Sequence, residues 1–323
     1  MNMQTLPVKF ENRDGYKLFG ILEKPDKVDS NITVLLLSPG IKMRVGPHRL
    51  YNKLSKKLVS LGINVFRFDF YGLGDSEGEI DESVLVNVYN SIQDGKFVND
   101  TVDAMDWLEQ KHDQKQFILG GLCGGAITGL LAGCDDNRVT GLLALGLINV
   151  FEGGEDNFSK FVTEGHLSSL KEGYIKKLTD LDSWKRLLSF KSDYRLILKI
   201  LVKPFRKIFN SIKKSVERDD DSVLTLPKEL EGSNVNPKFA PAFFKMLSNS
   251  KHMLLVFSGA DRLLWEFEEK FESHYTKKLK PYKSQYEVLT IPQANHILGL
   301  KEWEDEMHNH VDNWISKYYP LKS

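Results

Sequence analysis

Residues 117–133, FILGGLCGGAITGLLAG, join an apolar run to a segment of small residues through a glycine-flanked cysteine. Gly121-Leu122-Cys123-Gly124-Gly125 sets a reactive side chain two residues after one glycine and two before another. The apolar FIL run predicts a strand, and GAITGLLAG predicts a helix. A nucleophile on a strand-to-helix turn occupies a bend too sharp for bulky neighbours, often at positive φ, so its flanking residues must be small. A helix opening at Gly124 also points its positive end at the sulfur, which favours thiolate over thiol. A packing cysteine and a phosphate-cradling turn compete for the same pentapeptide. A Walker-type loop wants Gly-Lys-Ser/Thr where this chain has Gly-Gly-Ala, and no G-x-G-x-x-G follows the first parallel strand.

On either side of this stretch, strands and helices alternate. The chain opens with a segment that turns at Asp14-Gly15 and resumes as YKLFGILEKP, an edge hairpin. NITVLLLSPG is a short apolar run ended by Pro-Gly, as a strand buried on both faces requires. HRLYNKLSKKLVSLG carries Leu50, Leu54, Leu58 and Leu61 as a helical stripe stopped by Gly62, and INVFRFDF follows as a strand. Phe97 to Leu108 predicts a helix, and GLLALGLI a strand after the cysteine-bearing turn. The rhythm lapses over 152–250. It returns with HMLLVFSGAD, a helix from Leu263 to about Leu279, the strand YEVLTI and a C-terminal helix. The expectation is an α/β protein with a mostly parallel twisted sheet and helices on both faces. Residues 1–150 and 251–323 form its core, and 151–250 a helical cap inserted between them.

A nucleophile needs a base, and the base an orienting group. His296, in IPQANHILGL, lies on the loop after the last expected strand, and Asp261, in VFSGADRLLWEF, just past the strand before it. The carboxyl ends of parallel strands converge on one rim. Cys123, Asp261 and His296 therefore follow the chain order nucleophile, acid, histidine of the α/β-hydrolase arrangement. Two backbone donors are needed for an oxyanion. Gly124 is one candidate, and the loop after NITVLLLSPG supplies Ile41, with Gly40 in reserve; Pro39 has no N–H. His48, in RVGPHR near the same rim, is either a substrate contact or a cap on the next helix. Asp75 falls among glycines that predict a turn and helix entry, and Cys134 closes a helix away from the rim as a packing residue.

The segments SPGIKMRVGPHRLYNKLSKKLVSLGINVFRFDFYGLGDSEG, GLCGGA, SGADRLLWEF and ANH resemble the α/β-hydrolases associated with bacterial exosortase A systems. Members of that family carry a comparable R-V-G-x-H-R loop, an R-F-D…G-x-G-D-S-x-G turn and G-L-C at the elbow. The resemblance implies an α/β-hydrolase fold, with Cys123 as nucleophile, His296 as its histidine and Asp261 as the acid. The family usually places an acidic residue after the cysteine, where this chain has Gly124.

Sulfur narrows the chemistry. A thiolate attacks activated acyl carbons and forms a thioester still energised enough to acylate water, an alcohol or an amine. Expelling an amine from an unactivated amide suits it less. The expected substrate is thus a small-molecule thioester, activated ester or lactone, handled by a hydrolase or acyltransferase through an acyl-cysteine. A non-catalytic ligand-binding protein on the same scaffold, or a carrier-protein-dependent acyltransferase, is the alternative.

The 323 residues are 41% hydrophobic and 27% charged, enough for a sizeable core. Lys+Arg and Asp+Glu balance at 44 each, so no global field recruits nucleic acid. One local field stands out: over 191–214 eight basic residues interleave with apolar ones against a single acid, Asp193. That segment fits a solvated basic face, an acidic acyl carrier protein or an anionic membrane surface. Two cysteines give no disulfide framework. With no signal-peptide pattern and no apolar run of about 18 residues, a cytoplasmic location is expected. No ligand-spaced His/Cys/carboxylate cluster suggests a metal, and no cofactor is expected.

Overall fold

The computed structural model describes residues 3–26, 30–81, 84–153 and 226–320. Eight strands form one sheet: β1 (Met3–Glu11), β2 (Lys17–Pro25), β3 (Ile32–Leu37), β4 (Asn64–Phe68), β5 (Gln116–Leu122), β6 (Val139–Leu145), β7 (His252–Ser258) and β8 (Tyr286–Ile291). Their order is β1-β2-β4-β3-β5-β6-β7-β8. The β1/β2 and β2/β4 pairs are antiparallel, and every pair from β4 to β8 is parallel. The hairpin at Asp14-Gly15 thus sits at an edge. The strands between β4 and β7 are continuous apolar runs because helices cover both their faces.

The described helices are α1 (Leu50–Ser60), α2 (Leu85–Gln93), α3 (Val98–His112), α4 (Gly124–Gly133), α5 (Phe239–Ser248), α6 (Arg262–Phe267), α7 (Ser273–Leu279) and α8 (Lys301–Tyr318). On one face, Leu50, Leu54 and Leu58 of α1 share a core with Met307, Val311 and Trp314 of α8. On the other, α4 contacts β3, β5 and β6, with α2, α3 and α5 beside it.

Glycines bring α4 down onto the sheet. Gly125, Gly129 and Gly133 recur every fourth residue, so they line one face of the helix. A β-carbon on Gly125 would collide with the Leu37 carbonyl; on Gly129 it would lie 3.0 Å from Leu142 Cδ1, and on Gly133 3.1 Å from Val139 Cγ1. Gly121 on β5 meets the same helix, since its β-carbon would lie 2.7 Å from the Gly125 carbonyl carbon.

Three expectations change. Helix α2 was not expected from LVNVYNSIQ, whose apolar positions mix two periods. Between α6 and α7 the helix widens into a π turn over Glu268–Glu272 rather than running evenly to Leu279. Most of the expected cap, 154–225, lies outside the described residues, as does the basic segment 191–214. Residues 226–250, however, belong to the same compact unit as the sheet. Val235 bridges Val150, and α5 buries Phe239, Phe243, Met246 and Leu247. The apolar face of α5 has that destination because the chain rejoins the sheet beside the place where it left. No helix among the described residues is long and apolar enough to cross a membrane.

Candidate active site

Parallel register brings the relevant loops to one rim. Leu37 pairs with Gly121, Leu122 with Leu145, Leu145 with Val256, and Ser258 with Ile291. The residues just beyond these strand ends are therefore neighbours, although they lie far apart in sequence.

Cys123 stands between β5 and α4 at φ 58° and ψ −111°, a conformation that L side chains avoid. Its amide donates to the Leu145 carbonyl at 2.8 Å, and its carbonyl accepts from Ala126 and Ile127. The bend is fastened from below by Tyr51, which is fully buried. The Tyr51 hydroxyl donates to the Leu37 carbonyl at 2.7 Å and accepts from the Leu122 amide at 2.7 Å. It bridges the ends of β3 and β5 where they part, and burial raises its pKa. The apolar stripe of α1 did not single out Tyr51; its spacing alone marks it only as another inward-facing residue.

His296 lies between Asp261 and Cys123. Its Nδ1–H donates to Asp261 Oδ2 at 2.5 Å. That hydrogen bond first, then Cys123 beside the ring, raises its pKa to about 10 against the opposing effect of burial. Asp261 caps α6 and turns its other oxygen to the Leu263 amide. Gly146 keeps the space beside the ring free: a β-carbon there would lie 3.8 Å from His296 Cε1 and 3.1 Å from Leu263 Cδ1.

The two expected oxyanion donors belong to segments in backbone contact. A β-carbon on Gly124 would lie 2.8 Å from both the Cα and the nitrogen of Gly40, so an acidic side chain has no room here. Gly124, first in α4, has an N–H that the helix leaves free. Ile41 follows Gly40 directly, and among the described residues its amide has no hydrogen-bond acceptor. The loop from Pro39 to Arg49 is held by Arg44, whose amide donates to Asp69 Oδ1 at 2.6 Å. Its guanidinium pairs with buried Asp69 and, at 2.5 Å, with Asp75. Asp75 is thus a turn residue that serves this loop, and the next helix begins only at Leu85.

His48 does not line the cavity beside Cys123. Its Nε2–H donates to the Ile297 carbonyl at 2.6 Å, and Nδ1 faces Glu304 Oε1 at 2.9 Å. His48 makes no side-chain cap on the next helix. Cys134 is buried, with its thiol donating to the Leu131 carbonyl and its pKa pushed up to about 11 by burial.

A cavity of about 490 Å³ opens over Cys123, Asp261 and His296. Leu85, Val86, Tyr89 and Ile92 of α2 form an apolar wall, so the helix missed in the sequence shapes the site. Gln93, Glu152 and Arg262 supply polar lining. Arg262 pairs with Glu152 and, at 3.3 Å, with Glu266, whose carboxyl burial pushes up to about 7. Among the described residues no group of three or more His, Cys, Asp or Glu side chains is placed to hold a metal ion.

No family model and no curated protein matches this sequence. Solved structures do match in shape. An esterase from Pyrococcus furiosus aligns with TM-score 0.57 at 16% identity, over 98% of this chain and 91% of its own. A dienelactone hydrolase from Anabaena variabilis aligns with TM-score 0.55 at 13% identity over the whole of both chains. A lidless α/β serine hydrolase from Xanthomonas campestris aligns with TM-score 0.52 at 13% identity, over 100% of this chain and 99% of its own. With this strand order, rim and turn, the chain has the α/β-hydrolase fold.

Proposed function

We propose that this protein is an acyl-transfer enzyme, a hydrolase acting on a thioester, activated ester or lactone through an acyl-Cys123 intermediate. One observation carries the reading: Cys123, at positive φ on the elbow, lines one cavity with His296, whose Nδ1 is hydrogen-bonded to Asp261. In the proposed reaction the Cys123 thiol proton passes to His296 Nε2, and the thiolate so formed attacks the carbonyl carbon. A carbon–sulfur bond forms, and the carbonyl oxygen turns its charge to the Ile41 and Gly124 amides. His296 then gives its Nε2 proton to the departing alcohol or thiol as the bond to carbon breaks. Water attacks the acyl-cysteine next, its proton passes to His296, and carboxylic acid and thiolate are released. Asp261 keeps the ring oriented and stabilises its charge.

Water is favoured as acceptor because the neighbours of similar fold carry esterase and hydrolase names. The likeness to exosortase-associated hydrolases adds support for sulfur as the nucleophile. The test is a panel of acyl thioesters and p-nitrophenyl esters against wild type, Cys123→Ser and Cys123→Ala. Turnover by wild type and a mass-detected acyl adduct on Cys123 support the reading. Undiminished turnover by Cys123→Ala ends it.

A further inference from the structure

We propose that His48 is a positioning residue of this site: its imidazole fastens the His296-bearing loop to the loop after β3 and to α8. The inference rests on the role proposed for Cys123 and His296, and it assigns His48 no contact with substrate.

The loop from Pro292 to Leu300 turns sharply, with Gln293 and Leu298 at positive φ. Its anchors lie on either side of His296. Ala294 accepts from the Ala260 amide and Asn295 from the Ser258 hydroxyl, while Leu298 is buried in the core. The peptide just after His296 is fastened through the Ile297 carbonyl, which takes the 2.6 Å hydrogen bond from His48 Nε2. The other ring nitrogen faces Glu304 at 2.9 Å, and Lys53 from α1 holds the same carboxylate at 2.6 and 2.9 Å. His308, further along α8, also lies in the field of Glu304.

The backbone beside this contact is strained. His48 (φ 39°, ψ 34°) and Arg49 (φ 64°, ψ 30°) are consecutive left-handed residues, neither of them glycine. Such conformations persist only where the surroundings over-determine them, and they gather at working sites. The strained pair joins the segment bearing Gly40 and Ile41 to the segment bearing His296. One side chain thereby fixes the expected oxyanion donor and the base relative to each other.

The experiment compares wild type, His48→Ala and His48→Gln by three readouts: kcat and KM on p-nitrophenyl butyrate, the pH profile of iodoacetamide alkylation at Cys123, and thermal unfolding. Small misplacement of a reacting group costs about 10- to 100-fold in rate. His48→Ala is expected to lower kcat by about that factor with KM within about twofold, and to shift the alkylation profile. His48→Gln, which keeps one donor for Ile297, is expected to recover part of kcat. Wild-type kcat and profile in both variants overturn the proposal, whatever happens to the melting temperature. A raised KM with unchanged kcat also overturns it, in favour of a substrate contact. If His48→Ala does not fold, Glu304→Gln and His48→Gln carry the same readouts and criteria. Alkylation needs no substrate, so the role of His48 is tested even if wild type fails to turn over the ester and the proposed reaction falls.

Discussion

Gly40 and Gly124 meet through bare backbone, the Cα and nitrogen of Gly40 standing 2.8 Å from where a β-carbon on Gly124 would lie. The loop after β3 and the first turn of α4 can approach this closely only because Gly124 has no side chain; a β-carbon on Gly40 would face the Tyr89 ring at 3.3 Å instead. Gly124→Ala is expected to push Gly40 away, destabilising the fold by about 1–3 kcal/mol and lowering kcat as the Ile41 amide moves with it. Urea unfolding and ester kinetics check both. Gly124→Glu, which restores the acidic residue of the resembled family, is expected to be worse than alanine. A functional Gly124→Glu protein of native stability would show that the loop yields freely.

Tyr51→Phe removes one oxygen and strands two backbone groups, the Leu37 carbonyl and the Leu122 amide. Leaving buried polar groups unpaired costs about 1–3 kcal/mol. The variant is expected to lose that stability and to alkylate more slowly at Cys123, because Leu122 sets the approach to the elbow. Equal alkylation rates in the two proteins would confine Tyr51 to a packing role.

Asp261→Asn keeps the shape of the acid but removes its charge. His296, raised to about 10 mainly by its hydrogen bond to Asp261, is expected to titrate lower in the variant, and kcat to fall by about 10²- to 10⁴-fold. The linkage has a definite sign. A folded-state value raised from 6.5 to about 10 adds stability that is complete below 6.5 and is lost as pH rises through 10. Wild type should therefore lose stability between pH 7 and 10 more steeply than Asp261→Asn. Parallel curves of unfolding free energy against pH would remove Asp261 as the cause of the shift.

Arg44→Met leaves Asp69, which is fully buried, without its guanidinium partner. Breaking one side of a buried pair costs about 3–5 kcal/mol. A lower urea midpoint is expected, with reduced kcat from a loosened loop after β3. The double variant Arg44→Met/Asp69→Leu should recover stability but not the loop, since the Arg44 amide also needs the Asp69 carboxylate. Recovery of kcat in the double variant would show that the loop does not depend on that bond.

The strands of the sheet were legible because parallel strands covered on both faces are short apolar runs, as in ITVLLL and HMLLVFS. The elbow was legible because a cysteine at positive φ needs small neighbours. Helix α2 was not, since LVNVYNSIQ buries only Val88, Ile92 and Gln93 while Leu85 and Val86 face the cavity. A helix that leaves apolar residues at a cavity wall has no clean period. The place where the expected cap ends is hard to read for a related reason: α5 has a strongly apolar face, and composition does not say against which surface an apolar face packs.

Sequence alone determined the succession of strands along the chain, the bend at Cys123 and the identities of the residues that end β5, β7 and β8, because these follow from local sterics and periodicity. Tertiary structure decided which of those residues meet. Register across the sheet brings Asp261 and His296 to Cys123, turns Tyr51 from one more core residue into the brace beneath the elbow, and draws His48 toward Ile297 and Glu304. Such pairings join positions up to 256 residues apart, as His48 and Glu304 are. They depend on how strands stack and helices lean, which no local spacing encodes.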